Sequence, residues 1–272
     1  LNEKTSFEAL ERMKGFFLEQ ILKGSYTSRE EIVNRGRYIG FNFEGPLYMA
    51  AIQHQGKMPD APRDAVHYGE MLETIAKYLD IQGHKVLFGQ HEGFLIMLLL
   101  ANSMDEPQVK SIMEKILSRL ESSYPGRRYK IGVSDRFENI MEISDYLEEA
   151  TIALRMTTNK KIVHYSELGI FGVLINSKNV DGIIKIAKRE LGPLYDPQDP
   201  KKMELLRTLY VFLSNRGKIQ QTMADLNLST SGLMYRLGKI EKLIQKDIRD
   251  TTQGYQLLLI LDSLVALAEI EL

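Results

Sequence analysis

Gly217-Lys-Ile-Gln-Gln-Thr-Met-Ala-Asp-Leu-Asn-Leu-Ser-Thr-Ser-Gly-Leu-Met-Tyr-Arg-Leu-Gly-Lys-Ile-Glu-Lys-Leu-Ile244 reads as two helices joined by a tight corner. Gly217 breaks the preceding helix, and a short helix is expected from Ile219 to Leu226. Asn227 falls where such a corner needs a left-handed residue, a conformation Asn tolerates better than most side chains. Ser229 or Thr230 can cap the second helix by accepting a backbone N–H. Leu233, Leu237, Ile240 and Ile244 are spaced four, three and four, which places them on one inward stripe. The opposite face begins with Ser229, Thr230 and Ser231 and continues through Met234, Tyr235 and Lys239. Small polar residues at the exposed start of a second helix suit contact with base edges and phosphates in a major groove.

Local charge points the same way. Residues 201–250 hold ten basic and five acidic side chains, a balance of +5, while the whole chain has a formal net charge of −1. The positive field therefore sits on the segment with the bihelical pattern, and the remainder is acidic. Candidate contacts to bases are Ser229, Thr230, Ser231, Met234 and Tyr235. Candidate contacts to phosphates are Lys218, the Thr222 hydroxyl, Arg236 and Lys239. Tyr235 could instead pack against the first helix, and Arg236 could pair with a nearby carboxylate.

Outside this stretch the chain of 272 residues is long enough for two domains with their own cores. Its 44% hydrophobic and 26% charged content are those of a globular protein. The most apolar run, Phe94-Leu-Ile-Met-Leu-Leu-Leu100, is far short of the roughly 20 residues a bilayer needs and reads as a buried central strand. No signal-peptide pattern is seen, and a cytoplasmic location without membrane attachment is expected. The first residue is Leu1 rather than Met, so a longer protein is expected. With no cysteine in the chain, disulfides, Cys-ligated zinc and thiol catalysis are excluded.

In chain order, Ser6 to Lys23 reads as an amphipathic helix with Leu10, Met13, Phe17 and Ile21 on one stripe. A Ser28-capped helix to Gly36 follows, and then a strand at Leu47–Ile52. Arg63 to Asp80 is a helix with Met71, Leu72, Ile75, Ala76 and Leu79 inward. Lys85–Phe88 and Phe94–Leu100 form a hairpin around Gly89-Gln-His-Glu-Gly93. Helix Pro107–Ser122, strand Tyr129–Val133, helix Ser144–Thr158 and a last strand at Ile162–Tyr165 complete the unit. Strand, helix, strand, strand, helix, strand is the split β-α-β signature of a ferredoxin-like or cyclase-like layer. A final Leu-rich helix over Thr252–Glu271 either buries the back of the bihelix or forms a dimer seam.

Two sets of residues resemble one known family, the PucR/CdaR bacterial transcriptional regulators. Glu204-Leu-Leu-Arg-Thr-Leu-Tyr210, Gly217 with its bihelix, and Leu233-Met-Tyr-Arg-Leu-Gly-Lys-Ile-Glu241 are similar to that family's C-terminal helix-turn-helix. Ser231-Gly232 stand where Asn-Thr is usual, and Gly costs about 1 kcal/mol relative to Ala inside a helix. Upstream, Phe17-Leu-Glu-Gln-Ile-Leu-Lys-Gly24, Arg35-Gly-Arg-Tyr-Ile-Gly40, Tyr129-Lys-Ile-Gly-Val-Ser134, Glu148-Glu-Ala-Thr-Ile-Ala-Leu154 and Tyr165-Ser-Glu-Leu-Gly-Ile170 resemble the family's degenerate GGDEF-like domain. Leu191-Gly-Pro-Leu-Tyr-Asp196 resembles its link to the DNA-binding end. The fold implied is α+β, a degenerate GGDEF-like α/β domain followed by an all-α helix-turn-helix domain. The boundaries expected are a linker helix at 1–24, the GGDEF-like domain at 25–180, a linker at 181–200 and the DNA-binding domain at 201–272.

A working diguanylate cyclase needs acidic residues to hold Mg²⁺ and a glycine-rich turn close to the nucleotide. Gly89-Gln-His-Glu-Gly-Phe94 breaks the Gly-Gly-Asp-Glu-Phe signature, and Leu47–Gln53 offers no Asp. Catalysis is therefore not expected, nor any cofactor or metal. His91 and Glu92, as strand neighbours, point to opposite faces, and the five histidines, most of them read as surface or loop residues, show no ligand spacing. The function expected is operator binding as a homodimer, with a small-molecule effector sensed by an upstream domain. The competing class is a nucleotide-binding or nucleotide-processing protein that uses the GGDEF-like domain.

Overall fold

The computed structural model describes residues 2–55, 61–157, 160–169, 171–172, 175, 179–267 and 269–270. The chain divides into two units, Leu1–Asn176 and Ser177–Leu272.

In the first unit α1 (Asn2–Leu22) and α2 (Arg29–Tyr38) precede β1 (Leu47–Gln55) and α3 (Ala61–Ile81). The hairpin of β2 (Lys85–His91) and β3 (Phe94–Leu100) leads to α4 (Glu106–Ser123), β4 (Arg128–Val133), α5 (Ile143–Arg155) and β5 (Ile162–His164). The sheet order is β2-β3-β1-β4-β5, antiparallel throughout except that β5 lies parallel to β4. Helix α3 joins β1 to β2 across the intervening β3, and α4 joins β3 to β4 across β1. This is the split β-α-β arrangement that the element order implied.

Both faces of the sheet are covered, because β3 is apolar throughout and β1 is apolar from Leu47 to Ile52. Side chains alternate along a strand. Tyr48, Ala50 and Ile52 of β1 pack with Met71, Ile75 and Leu79 of α3 and with Val109, Met113 and Leu120 of α4. Leu47, Met49 and Ala51 face the other way, into a layer with Phe17, Leu18 and Ile21 of α1 and Leu147, Ala150 and Leu154 of α5. Local signals start the helices. Ser28 Oγ accepts from the Glu31 amide, and Asp105 with Gln108 forms a reciprocal capping box on α4.

Two expectations need correction here. The α1 stripe is buried only at Phe17 and Ile21; Leu10 and Met13 are 38% and 48% exposed, because only the last turns of the helix lie over the sheet. The hairpin turn is the two-residue loop Glu92-Gly93, both with positive φ (47° and 81°), while Gly89 sits inside β2 opposite Ile96. Paired left-handed residues match the twist of the flanking strands.

Four helices build the described part of the second unit before its final helix: α6 (Val180–Leu191), α7 (Pro200–Ser214), α8 (Ile219–Leu226) and α9 (Thr230–Ile244). The final one, α10, spans Thr251–Ala266. The linker expected over 181–200 is largely helical, and α6 packs against α10 with Ala187 and Leu191 buried. Val180, Ile183, Ile184, Ala187 and Leu191 form the apolar stripe that holds it there. None of the helices among the described residues is long and apolar enough to cross a membrane.

Gly132 on β4 fixes how closely α5 can approach the sheet. A Cβ there would lie 2.1 Å from the Ala150 carbonyl oxygen and 2.2 Å from the Leu154 nitrogen, both backbone atoms that cannot swing aside. Gly132→Ala is expected to cost about 1–3 kcal/mol through overpacking, read as a lower urea midpoint for the first unit with the second unit unchanged.

Candidate nucleic-acid interface

The bihelical corner is set by backbone conformation. Gly217 (φ 74°) closes α7, its N–H donating to the Phe212 carbonyl at 2.9 Å. Asn227 adopts the left-handed region (φ 50°, ψ 48°), and the next amide, Leu228, returns to the Met223 carbonyl at 3.0 Å. This turns the chain sharply into α9. Ser229, rather than Thr230, caps that helix, its Oγ accepting from the Gly232 amide at 3.2 Å. Thr230 Oγ1 lies 3.4 Å from Met223 Sδ, and Ser231 Oγ is 3.2 Å from Ser229 Oγ.

Leu233, Leu237, Ile240 and Ile244 are all buried, so the opposite side of α9 faces solvent. Ser229, Thr230, Ser231 and Lys239 are exposed; Met234 and Tyr235 are 42% and 72% exposed. Tyr235 therefore does not pack against α8. Lys218 is exposed at the start of α8. These residues gather around the corner as expected.

Two others do not. Thr222 is fully buried, its Oγ1 donating to the Lys218 carbonyl at 2.9 Å and accepting from Asn215 Nδ2 at 3.4 Å. It braces α7 against α8 and is withdrawn from the solvent face. Arg236 is half-buried, with Nη2 2.6 Å from Glu204 Oε1 and Nη1 donating to Thr208 Oγ1 at 3.3 Å. Its charge ties α9 to α7 instead of projecting outward.

Sequence reasoning missed Gly238 and Lys242. With Ser231 and Tyr235 they form an outward line spaced four, three and four, half a turn from the buried stripe, and that spacing was the available signal. Met234, Tyr235, Gly238, Lys239 and Lys242 line an open depression of about 420 Å³. Among the described residues neither Lys239 nor Lys242 has an ion pair, whereas Lys202, Arg236, Lys246 and Arg249 are paired. Lys239 and Lys242 are thus available to a partner on this face, as is Lys218 at the start of α8.

In the first unit, the strand ends beside the hairpin carry no Asp among the described residues. At the end of β1 stand Gln53, His54 and Gln55, beside the start of β3. Glu92, the acid in the hairpin turn, lies 3.5 Å from Arg155 and 3.9 Å from His91 Nε2. Strand alternation does not separate His91 from Glu92, because Glu92 is a turn residue. Among the described residues no group of three His, Cys, Asp or Glu side chains is placed to hold a metal.

The histidines are not all superficial. His67 and His164 are both 2% exposed. His67 Nε2 is 3.1 Å from the Tyr129 hydroxyl and its Nδ1 is 3.3 Å from Glu70. Burial pulls the His67 imidazole below its ordinary pKa and pushes Tyr129 up to about 12. This polar set is structural, satisfying groups inside the layer under α3.

A helix-turn-helix unit preceded by a split β-α-β unit with an altered hairpin is the class that this geometry defines. Family models match both parts: a GGDEF-like domain over residues 23–156 and a PucR C-terminal helix-turn-helix domain over 205–262. The chain thus combines a GGDEF-like domain with a PucR-type C-terminal helix-turn-helix domain. Similar proteins include the proline-responsive transcriptional activator PutR of Bacillus subtilis, 21% identical over 85% of this chain and 60% of that protein. The purine catabolism regulatory protein of the same organism is 22% identical over 98% of this chain and 52% of its own length. The chain thus spans little more than half the length of these relatives. A solved regulator of polyketide synthase expression from Bifidobacterium adolescentis aligns over 96% of this chain and 99% of its own, at 17% identity and a TM-score of 0.41.

The second unit also contains a carboxylate whose titration is displaced. Tyr210 Oη donates to Asp262 Oδ1 at 3.0 Å, and burial lifts the Asp262 pKa from 3.8 to about 6. A raised acid binds its proton more tightly in the folded state, so this residue's contribution falls as pH rises from about 4 to about 6. Asp262→Asn keeps the acceptor for Tyr210 and removes the buried charge. Thermal unfolding of the second unit is expected to show the variant more stable than the parent at pH 7.5, with the gap closing at pH 4.5.

Proposed function

We propose that this chain is the DNA-binding part of a transcriptional regulator that reads operator DNA as a symmetric homodimer through α9. The single observation that carries this reading is the corner itself. Left-handed Asn227 delivers a Ser229-capped helix whose solvent face holds Ser231, Met234 and Tyr235 at its start and unpaired lysines behind them. Hydroxyls and an amphipathic ring suit base edges, and lysines suit phosphates. Lys218 adds a further cation at the start of α8. One short helix reads few bases, and a dimer doubles the contact.

The names of the two Bacillus relatives, one proline-responsive and one a regulator of purine catabolism, support control by a small molecule. We place that sensing outside these residues. The first unit is proposed as a non-catalytic module, because β1 carries no acidic residue and the hairpin turn pairs its one acid with Arg155. The cytoplasm is the compartment in which such a regulator meets its operator.

The test is a salt series of binding to promoter and random duplex DNA. With Lys218, Lys239 and Lys242 from each protomer on phosphates, log affinity is expected to fall against log salt with a slope of about −5. The double substitution Thr230→Ala, Ser231→Ala is expected to abolish promoter preference while leaving most of the salt-dependent component. Absence of duplex binding by a folded protein at low salt would overturn the proposal and direct attention to guanine nucleotides on the first unit.

A further inference from the structure

Gly238 lies in the third turn of α9, where glycine weakens a helix relative to alanine. Two reasons commonly keep a glycine inside a helix, and neither holds here. Its φ is not positive, and a Cβ built at Gly238 meets nothing within 4 Å. Gly36 and Gly132 in the same chain differ on this point, with neighbours at 2.6 Å and 2.1 Å. Within its own fold, then, Gly238 leaves a side chain's worth of space empty.

The empty space has a definite setting. Along the outward line Ser231, Tyr235, Gly238, Lys242 it is a notch between a mostly exposed aromatic ring and a lysine. Met234 and Lys239 close its flanks, giving the depression described above. One side of the notch is apolar and aromatic; the other carries two cations with no ion pair among the described residues. The nearest carboxylate along the helix, Glu241, is 3.4 Å from Arg249. When the first turns of a recognition helix reach base edges, its third turn comes up against the wall of the groove. A phosphodiester strand, anionic and flanked by apolar deoxyribose, matches both sides of the notch.

We infer that the notch at Gly238 seats the sugar–phosphate backbone of one DNA strand, with Lys239 and Lys242 on its phosphates and the Tyr235 ring against the adjoining deoxyribose. The inference rests on the operator-binding function proposed above and adds a position that sets how deeply α9 can enter the groove. Any side chain at 238 then acts as a spacer that lifts the helix away from both the bases and the phosphates.

The experiment compares Gly238→Ala, Gly238→Leu and Lys242→Ala with the parent chain, measuring duplex affinity across salt and the thermal unfolding midpoint. Gly238→Ala is expected to raise the midpoint and yet weaken binding, and Gly238→Leu to weaken it by at least about tenfold without unfolding the protein. Lys242→Ala is expected to lower the salt slope by about 1 per protomer. If both Gly238 variants are more stable and bind as tightly as the parent, the notch is not a backbone seat, and the operator-binding function survives. A lowered midpoint in Gly238→Ala would assign the glycine to the fold and overturn the inference as well. Failure of the parent chain to bind any duplex would overturn both together.

Discussion

Burial of β1 on both faces is the constraint from which the first unit is built. A strand closed on one side alone leaves alternate positions free for polar side chains; from Leu47 to Ile52 none is free. Two layers of helices are therefore required, α3 and α4 on one side, α1 and α5 on the other. The same constraint bears on chemistry. An unpaired carboxylate in this environment costs several kcal/mol unless a cation or a hydrogen-bond set compensates it. In β1 every position from Leu47 to Ile52 is given to apolar packing. The close approach of α5 over Gly132 belongs to the same economy of space.

The second unit applies that rule at helical period. On α9 one row of residues at four-three-four spacing is buried and a second row, half a turn away, is exposed. Between them lies Arg236, whose pairing with Glu204 agrees with the rotation of α9 that burial of the first row imposes. The corner at Asn227 sets the direction of the helix and the buried row sets its roll. Composition alone overstates the charge available to a partner, because four of the cations between Lys201 and Asp250 are engaged within the unit.

Much of this was legible in residue order. The apolar runs at Leu47–Ile52 and Phe94–Leu100 identify central strands because burial on both faces explains six or seven residues without a polar position. Asn227 and Ser229 identify the corner because backbone conformation and capping are local properties. What was missed depended on partners distant in sequence or on side-chain fate. Thr222 is polar by type, yet a hydroxyl satisfied by the carbonyl four residues earlier can be buried at little cost, so its exposure was not readable. The hairpin turn was misplaced because two glycines compete for it, and only cross-strand register decides between Gly89 and Gly93. His67 lies inside because α3 brings it against Tyr129 of β4, and His164 because β5 pairs with the end of β4 at Val133, which no spacing of histidines announces.

The position of β1 in the sheet also governs the order in which the molecule can assemble. Its two neighbours are β3 and β4, and Ala50 pairs with Val133, about 80 residues further along the chain. Until that later strand leaves the ribosome, a strand apolar on both sides waits with one edge open. By contrast, the contacts around the Asn227 corner join residues close in sequence and close rapidly. The helical corner can therefore form before the sheet closes, and the interval before β4 emerges is when a nascent chain of this protein is most prone to aggregate.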